Sequence, residues 1–248
     1  ECPPHRSMND PDDILRMWDK TETSRALSAA GLRVPEVLPP PAGYEELRAT
    51  MEAACADRVF LKLRYGSSAS GTVAYRMRSG REAAWTTVEL EDGKLFNTRR
   101  IRHLDRNRDI RPLVDSVCAH ATHLERWLPK HCLGGRPFDL RVLCIAGRPA
   151  HVVGRSSATP LTNLHLLNRR LPSEALQDRL PGWTAAMEAC ARAAAVFPSS
   201  FHVGLDVAIL AGGKAHAILE ANAFGDLLPG VLWNGLSTHL AELLEWER

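Results

Sequence analysis

Two carboxylates and an amide, Asp206, Glu220 and Asn222, lie in segments that alternate with the period of a β-strand. In residues 201–210, Val203, Leu205, Val207 and Ile209 share one side and Asp206 takes the other. In residues 215–222, Ala215, Ala217, Leu219 and Ala221 alternate with His216, Ile218, Glu220 and Asn222. Gly212-Gly213-Lys214 between the runs reads as a three-residue hairpin loop. With Ala211 opposite Ala215, Val207 falls opposite Leu219, Leu205 opposite Ala221, and Asp206 opposite Glu220. Facing side chains in such a pair sit about 5 Å apart at Cβ, where two like charges are destabilising. A divalent cation removes that penalty. Asp, Glu and Asn oxygens are hard ligands, suited to Mg²⁺ held jointly with a phosphate. The competing reading is a polar solvent face with an incidental acidic pair.

Two further constellations carry charge. Lys62 lies in the apolar run Val59 to Leu63 and is followed by Gly66-Ser67-Ser68-Ala69-Ser70-Gly71. Small residues let backbone N–H groups approach phosphate oxygens, and the Lys supplies a point charge beside them. No G-K-[ST] follows, so this is not a Walker A loop. With no apolar side chain larger than Ala, the loop is expected to be mobile without nucleotide. Residues 138–145 and 150–155 read as a second hairpin over Gly147-Arg148-Pro149. With Ala146 opposite Ala150, Arg141 falls opposite Arg155, and two facing guanidiniums call for an anion between them. The competing reading pairs each Arg with a nearby acid such as Asp139.

The elements that must position these residues are mixed. Residues 10–30 and 44–56 read as helices, residues 72–97 as a small antiparallel sheet, and residues 110–120, 183–196 and 236–246 as further helices. Helices and antiparallel hairpins without a repeating βαβ rhythm indicate an α+β fold. The 248 residues suffice for one large domain or two small lobes. The net charge of +2 gives no nucleic-acid footprint, and the cluster Arg99, Arg100, Arg102, Arg106, Arg108 and Arg111 reads as a solvated face. No apolar run approaches the roughly 20 residues that span a bilayer, and no signal peptide is visible. Six cysteines without a C-x-x-C pair suit a reducing, cytoplasmic setting. Cys55, Cys144 and Cys190 sit in apolar or Ala-rich runs as small hydrophobes, and Cys118, His120 and His123 match no standard zinc spacing. The start at Glu1 rather than Met suggests a fragment or a processed product.

Taken in order, these motifs resemble one family. Asp19-Lys20, Leu61-Lys62 with the loop at 66–71, Glu125-Arg126-Trp127-Leu128, Asp139-Leu140-Arg141, Arg155, Asp206 and Leu219-Glu220-Ala221-Asn222 resemble the ATP-grasp ligases. Within them, the pattern is similar to the ribosomal-protein glutamate ligase and peptide-modifying branch. The resemblance covers residues 10–235 and implies two lobes with ATP between them. It implies an N-terminal helical segment at 1–56, a small lobe at 57–127 and a large lobe at 128–248, with the family's N-terminal domain lacking or supplied by a partner chain.

The resemblance also implies roles. Lys20 and Lys62 contact the nucleotide phosphates, and Ser67, Ser68, Ser70 and Gly71 close over them. Glu125, Trp127 and Leu128 form the hinge at adenine, and Asp139 meets the ribose. Arg141 and Arg155 meet phosphate or the substrate carboxylate, Asp206, Glu220 and Asn222 hold Mg²⁺, and Asn163 lies near the acceptor substrate. The implied activity is ATP-dependent ligation of a small-molecule or peptide carboxylate to an amine or thiol through an acyl phosphate. The alternatives are an ATP-grasp kinase and a nucleotide-binding module without turnover.

Overall fold

The computed structural model describes residues 7–163, 169–223 and 228–248. Cys2, His165 and the turn read at 222–226 lie wholly or partly outside the described residues. In chain order the elements begin with α1 (Pro11–Trp18), α2 (Lys20–Ala29), β1 (Val37–Leu38), α3 (Tyr44–Ala53), β2 (Arg58–Leu63), β3 (Val73–Arg78), β4 (Arg81–Glu91) and β5 (Lys94–Leu104). They continue with α4 (Asn107–Cys118), β6 (Thr122–Arg126), β7 (Cys132–Leu133), β8 (Arg136–Ile145), β9 (Arg148–Ser156), β10 (Arg169–Pro172), α5 (Ser173–Gln177), α6 (Trp183–Ala194), β11 (His202–Ile209), β12 (His216–Asn222) and α7 (Thr238–Trp246).

The chain divides into two compact units. One comprises Pro35–Phe138 and Arg155–Arg169, the other Glu1–Val34, Asp139–Gly154 and Arg170–Arg248. The boundaries expected at 56 and 127 do not coincide with this division. The physical reason is packing: α1 and α2 lie against β12 of the second unit, whereas α3 lies against α4 of the first.

The first unit is built on a six-stranded sheet of order β1-β6-β2-β3-β4-β5. Tyr44, Leu47 and Met51 of α3, and Ile110, Leu113, Val114 and Val117 of α4, recur at helical spacing. They pack on Val59, Leu61, Val73, Tyr75 and Leu124 from alternate strand positions. Burying each such side chain stabilises the unit by about 1.5–3 kcal/mol. The intervening positions form a second cluster, where Phe60, Ala69, Trp85, Ile101 and Trp127 pack around Ala74 and Leu161. Period-two alternation thus splits β2 and β6 between an aliphatic core and a face carrying aromatic and charged residues.

The second unit holds the sheet β10-β9-β8-β11-β12. Its strands are buried for long stretches, as in Leu140, Val142, Leu143 and Cys144 of β8 and Val203, Leu205, Val207 and Ala208 of β11. Helix α6 presents Ala186, Ala189, Cys190 and Ala193 at i, i+3, i+4 and i+7, all buried. Burial pushes the Cys144 thiol up to about 12 and the Cys190 thiol well above its usual value, consistent with small hydrophobes. Cys55 is different: it is exposed, at a positive φ of 49° just past the end of α3.

Candidate functional site

The acidic hairpin pairs as expected at its chemical end and not at its turn. Asp206 faces Glu220, Leu205 faces Ala221, and Gly204 faces Asn222. Nearer the turn, however, Val207 faces Ile218 and Ile209 faces His216, and the register shifts between Asp206 and Val207. Leu210 N donates to Ala215 O, so the loop is four residues, Ala211 to Lys214, rather than three. The extra loop residue is compensated by a bulge that leaves Leu219 without a facing partner, restoring the register at Asp206. A bulge re-aims side chains and sharpens twist. Here it turns both Ile218 and Ala217 into buried positions while Glu220 stays only half-buried.

The two acids belong to a longer charged row. Asp206 faces Glu220 on one side and Arg141 of β8 on the other. Arg141 Nη1 lies 3.0 Å from Asp206 Oδ1, and Lys20 Nζ lies 3.4 Å from Glu220 Oε1. Two anions in the middle are flanked by two cations, so the like-charge penalty is offset within the protein. Asn222, opposite Gly204 and two residues along β12 from Glu220, donates its side-chain N–H to Gly204 O at 3.3 Å. Asp139 faces Ala208, two residues along β8 from Arg141 and on the same side of the sheet.

Lys20 is placed by a break that sequence reading missed. Residues 10–30 form two helices, because Asp19 leaves helical geometry at φ −85°, ψ 102°. Its side chain accepts from Thr21 N and Glu22 N at 3.0 and 3.1 Å, capping α2. Lys20 is therefore the first residue of a new helix rather than a mid-helix surface Lys.

The expected Arg141–Arg155 row is not supported. Strands β8 and β9 end at Ile145 and resume at Arg148, leaving Ala146-Gly147 as a two-residue turn with φ of 48° and 74°. That is the geometry of a type I′ hairpin, and it removes the Ala146–Ala150 pair on which the row depended. Arg141 instead faces an acid, Asp206. Arg155 is buried and belongs to the first unit, whereas Arg141 belongs to the second.

In the first unit, Lys62 Nζ meets Glu125 Oε1 at 2.7 Å, and His123 Nε2 meets Glu125 Oε2 at 3.1 Å. All three side chains are buried. Strand phase explains the cluster: Lys62 faces His123 and Phe60 faces Glu125 across β2 and β6. Burial favours a neutral Glu125, but the Lys62 ammonium and then the His123 hydrogen bond outweigh it and hold the carboxyl below its ordinary value. Trp127 continues the same side, with its ring centroid 5.3 Å from Phe60 and 6.0 Å from Trp85. Leu128 follows, half-buried. The sequence reading sets His123 beside Cys118 and His120, which match no standard zinc spacing, and passes over Phe60 and Trp85. The alternation His123, Glu125, Trp127 was the available signal. Among the described residues, no group of three or more His, Cys, Asp and Glu side chains is placed to hold a metal ion.

The loop at 66–71 is tied down by its neighbours. Thr87 Oγ1 donates to Ala69 O at 2.7 Å and Thr86 Oγ1 to Thr72 O at 2.8 Å. Ser70 N donates to Ser67 O at 2.8 Å. Ala69 also packs in the Phe60–Trp127 cluster, so the anchors absent from the loop's own side chains come from β4. Ser68, Ala69 and Gly71 all have positive φ. At Gly71, with φ of 63°, an added Cβ would lie 2.3 Å from Leu63 Cγ. Gly71→Ala is expected to destabilise the protein by about 1–3 kcal/mol in a denaturant melt, through left-handed strain and collision. An unchanged midpoint would show that the loop is held otherwise. Asn163 is half-buried in the first unit, beside Thr162, whose hydroxyl accepts from Lys130 Nζ at 2.5 Å.

No family model matches the chain, and no curated protein matches it in sequence. Solved structures do. The chain is similar to the ATP-grasp ligase PsnB, solved with a phosphomimetic variant of a minimal precursor, Mg and ADP, at TM-score 0.55 and 16% identity over 97% of this chain and 62% of that one. It is similar to the D-alanine-D-alanine ligase from Coxiella burnetii, at TM-score 0.55 and 12% identity over 96% of this chain and 61% of that one. It is also similar to N5-carboxyaminoimidazole synthase from Aspergillus clavatus, solved with ADP and 5-aminoimidazole ribonucleotide, at TM-score 0.52 and 12% identity, covering 87% and 46%. The fold is therefore the ATP-grasp fold, an α+β architecture. The chain spans between 46% and 62% of the length of these structures.

Proposed function

We propose that this chain carries the ATP-grasp part of an ADP-forming, Mg²⁺-dependent ligase that joins a carboxylate to an amine or a thiol. The observation that carries this reading is the row Arg141–Asp206–Glu220–Lys20, with Asn222 two residues along β12 from Glu220, in a chain of ATP-grasp fold. Two carboxylates and an amide offering hard oxygens fit Mg²⁺ well. The names of the similar structures support a ligase, and one of them was solved with Mg and ADP.

In this reading Asp206, Glu220 and Asn222 hold Mg²⁺, which when bound neutralises charge on the triphosphate. Lys20 and Arg141, already drawn to the acids, are cations that can turn to phosphate oxygens once the acids are otherwise satisfied. Lys62 supplies a further cation beside the 66–71 loop, with Glu125 and His123 fixing the direction of its ammonium. Backbone groups at 125–128 and the Phe60, Trp85 and Trp127 rings form the adenine side, and Asp139 serves the ribose. Arg155 and Asn163 serve the acceptor carboxylate. The carboxylate oxygen attacks the γ-phosphorus and ADP leaves. The amine then attacks the acyl carbon, inorganic phosphate leaves, and the amine loses a proton. The protein contributes position and charge neutralisation, without a covalent enzyme intermediate.

A matrix of carboxylates and amines, including acidic peptides, tests this with ATP and Mg²⁺ by ADP release and product mass. Condensed product and ADP appearing only when acid and amine are both present is the expected result. A phosphorylated product that forms without any amine contradicts ligation.

A further inference from the structure

The nucleotide reading leaves one charged surface unused. Between Lys94 and Arg111 the sequence holds seven Lys or Arg residues against two Asp, whereas the whole chain carries only +2. Arg99, Arg100, Arg102, Arg106 and Arg108 are exposed. Among the described residues, Arg99, Arg100, Arg102 and Arg106 make no ion pair, and Arg108 makes only a 4.0 Å contact with Asp109. Here the charge is concentrated on one strand and one helix start.

Three features of that place point to a ligand. First, β5 is the edge of its sheet, paired with β4 on one side only, so its outer backbone groups are open. Its register shifts from Val88–Asn97 to Thr86–Arg102, so residues 98–101 form a bulge in which Ile101 packs inward while Arg99 and Arg100 are exposed. Second, a cavity of about 180 Å³ opens between α4 and strands β4 and β5, lined by Leu90, Leu104, Pro112 and Leu113 with Arg102, Arg108 and the single acid Asp109 among its walls. Third, α4 begins there without a side-chain cap, so the N–H groups of Asn107 and Arg108 add positive potential to that of the arginines, against the one carboxylate of Asp109 in the same turn.

We infer that the β5 edge and the cavity beside it dock an extended acidic polypeptide segment, with an apolar side chain seated over Leu90, Leu104 and Leu113 and flanking carboxylates on Arg102 and Arg108. Strand addition supplies backbone hydrogen bonds, the cavity supplies side-chain selection, and the arginines supply charge complementarity. Single-stranded nucleic acid fits less well, because the cavity has no aromatic side chain on which a base could stack. The inference rests on the first unit alone and is independent of the proposed ligation.

The test uses the 248-residue chain and three fluorescent probes at low salt: an alternating Glu/Thr peptide of about twelve residues with one central Leu, its Lys/Thr counterpart, and an oligouridylate of similar length. The acidic peptide is expected to bind and the basic one not. Arg102→Gln with Arg108→Gln should weaken binding roughly tenfold, as should replacing the central Leu with Asp. Hydrogen exchange should show new protection within Lys94–Leu104. Both substitutions lie on exposed side chains, and a melt that matches wild type separates binding from folding. Equal binding of acidic and basic peptides, full binding by the double variant, no peptide binding, or oligouridylate binding in preference to the acidic peptide each overturns the inference.

Discussion

Glu220→Gln is expected to reduce Mg²⁺-dependent ADP release by about 100-fold or more while leaving stability within about 1 kcal/mol of wild type. The carboxylate and the amide have nearly the same shape, so the strand pairing to Asp206 survives. What changes is charge. Gln keeps one carbonyl oxygen but loses the anion that a divalent cation requires beside a phosphate. The folded state gives up the Lys20 pair, which is partly solvent-exposed and so contributes little, and loses an adjacent like charge. These two changes oppose each other. Asp206 is the less informative position, because Asp206→Asn also strips the counter-charge from Arg141, whose side chain is only 12% exposed. Turnover and denaturant midpoint measured on the same Glu220→Gln preparation decide the matter. A parallel loss of both makes Glu220 a structural acid.

Lys62→Met is expected to destabilise the protein by about 3–5 kcal/mol, the largest effect on folding of any single change considered. It leaves Glu125, whose side chain is 5% exposed, with His123 as its one remaining side-chain partner among the described residues. The Lys62→Met, Glu125→Leu double variant removes both charges and should recover most of that loss, since a buried ion pair can often be replaced by apolar groups at little cost. The same cluster sets an acid limb. Because Glu125 titrates below its unfolded value, its contribution is complete above that value and is lost as pH falls through the folded one. The double variant should therefore show a shallower loss of stability below about pH 4.5 than wild type. If Lys62→Met melts like wild type and the acid limbs coincide, Lys62 and Glu125 are not coupled in the folded protein.

The legible parts of this molecule were those set by strand period. Asp206 opposite Glu220, Lys62 on the side away from Val59 and Leu61, and the helices at 44–56, 110–120, 183–196 and 236–246 follow from spacing of apolar residues. Turn length was not legible. The acidic hairpin reached its expected pairing through a four-residue loop and a bulge at Leu219, two departures that cancel. The β8–β9 hairpin closes through a two-residue turn, which removes the Ala146–Ala150 pair that the Arg141–Arg155 row assumed. Glycines in tight turns permit several loop lengths, and one residue of slip changes every facing pair. Unit boundaries were hidden for another reason. The attachment of α1 and α2 to β12 joins segments about two hundred residues apart, which no local composition records. His123 was readable from its alternation with Glu125 and Trp127, which puts all three on the side of β6 that faces Lys62 and Phe60.

The central claim is that Asp206, Glu220 and Asn222 hold the divalent ion of a bound nucleotide. Crystals grown with Mn²⁺ and a non-hydrolysable ATP analogue test it directly, because Mn²⁺ replaces Mg²⁺ on oxygen ligands and is located by its anomalous scattering. An anomalous peak within coordination distance of Asp206 and Glu220 carboxylate oxygens and of a phosphate oxygen is the expected result. A peak that touches the nucleotide but neither carboxylate, with Lys20 still on Glu220 and Arg141 still on Asp206, would contradict it.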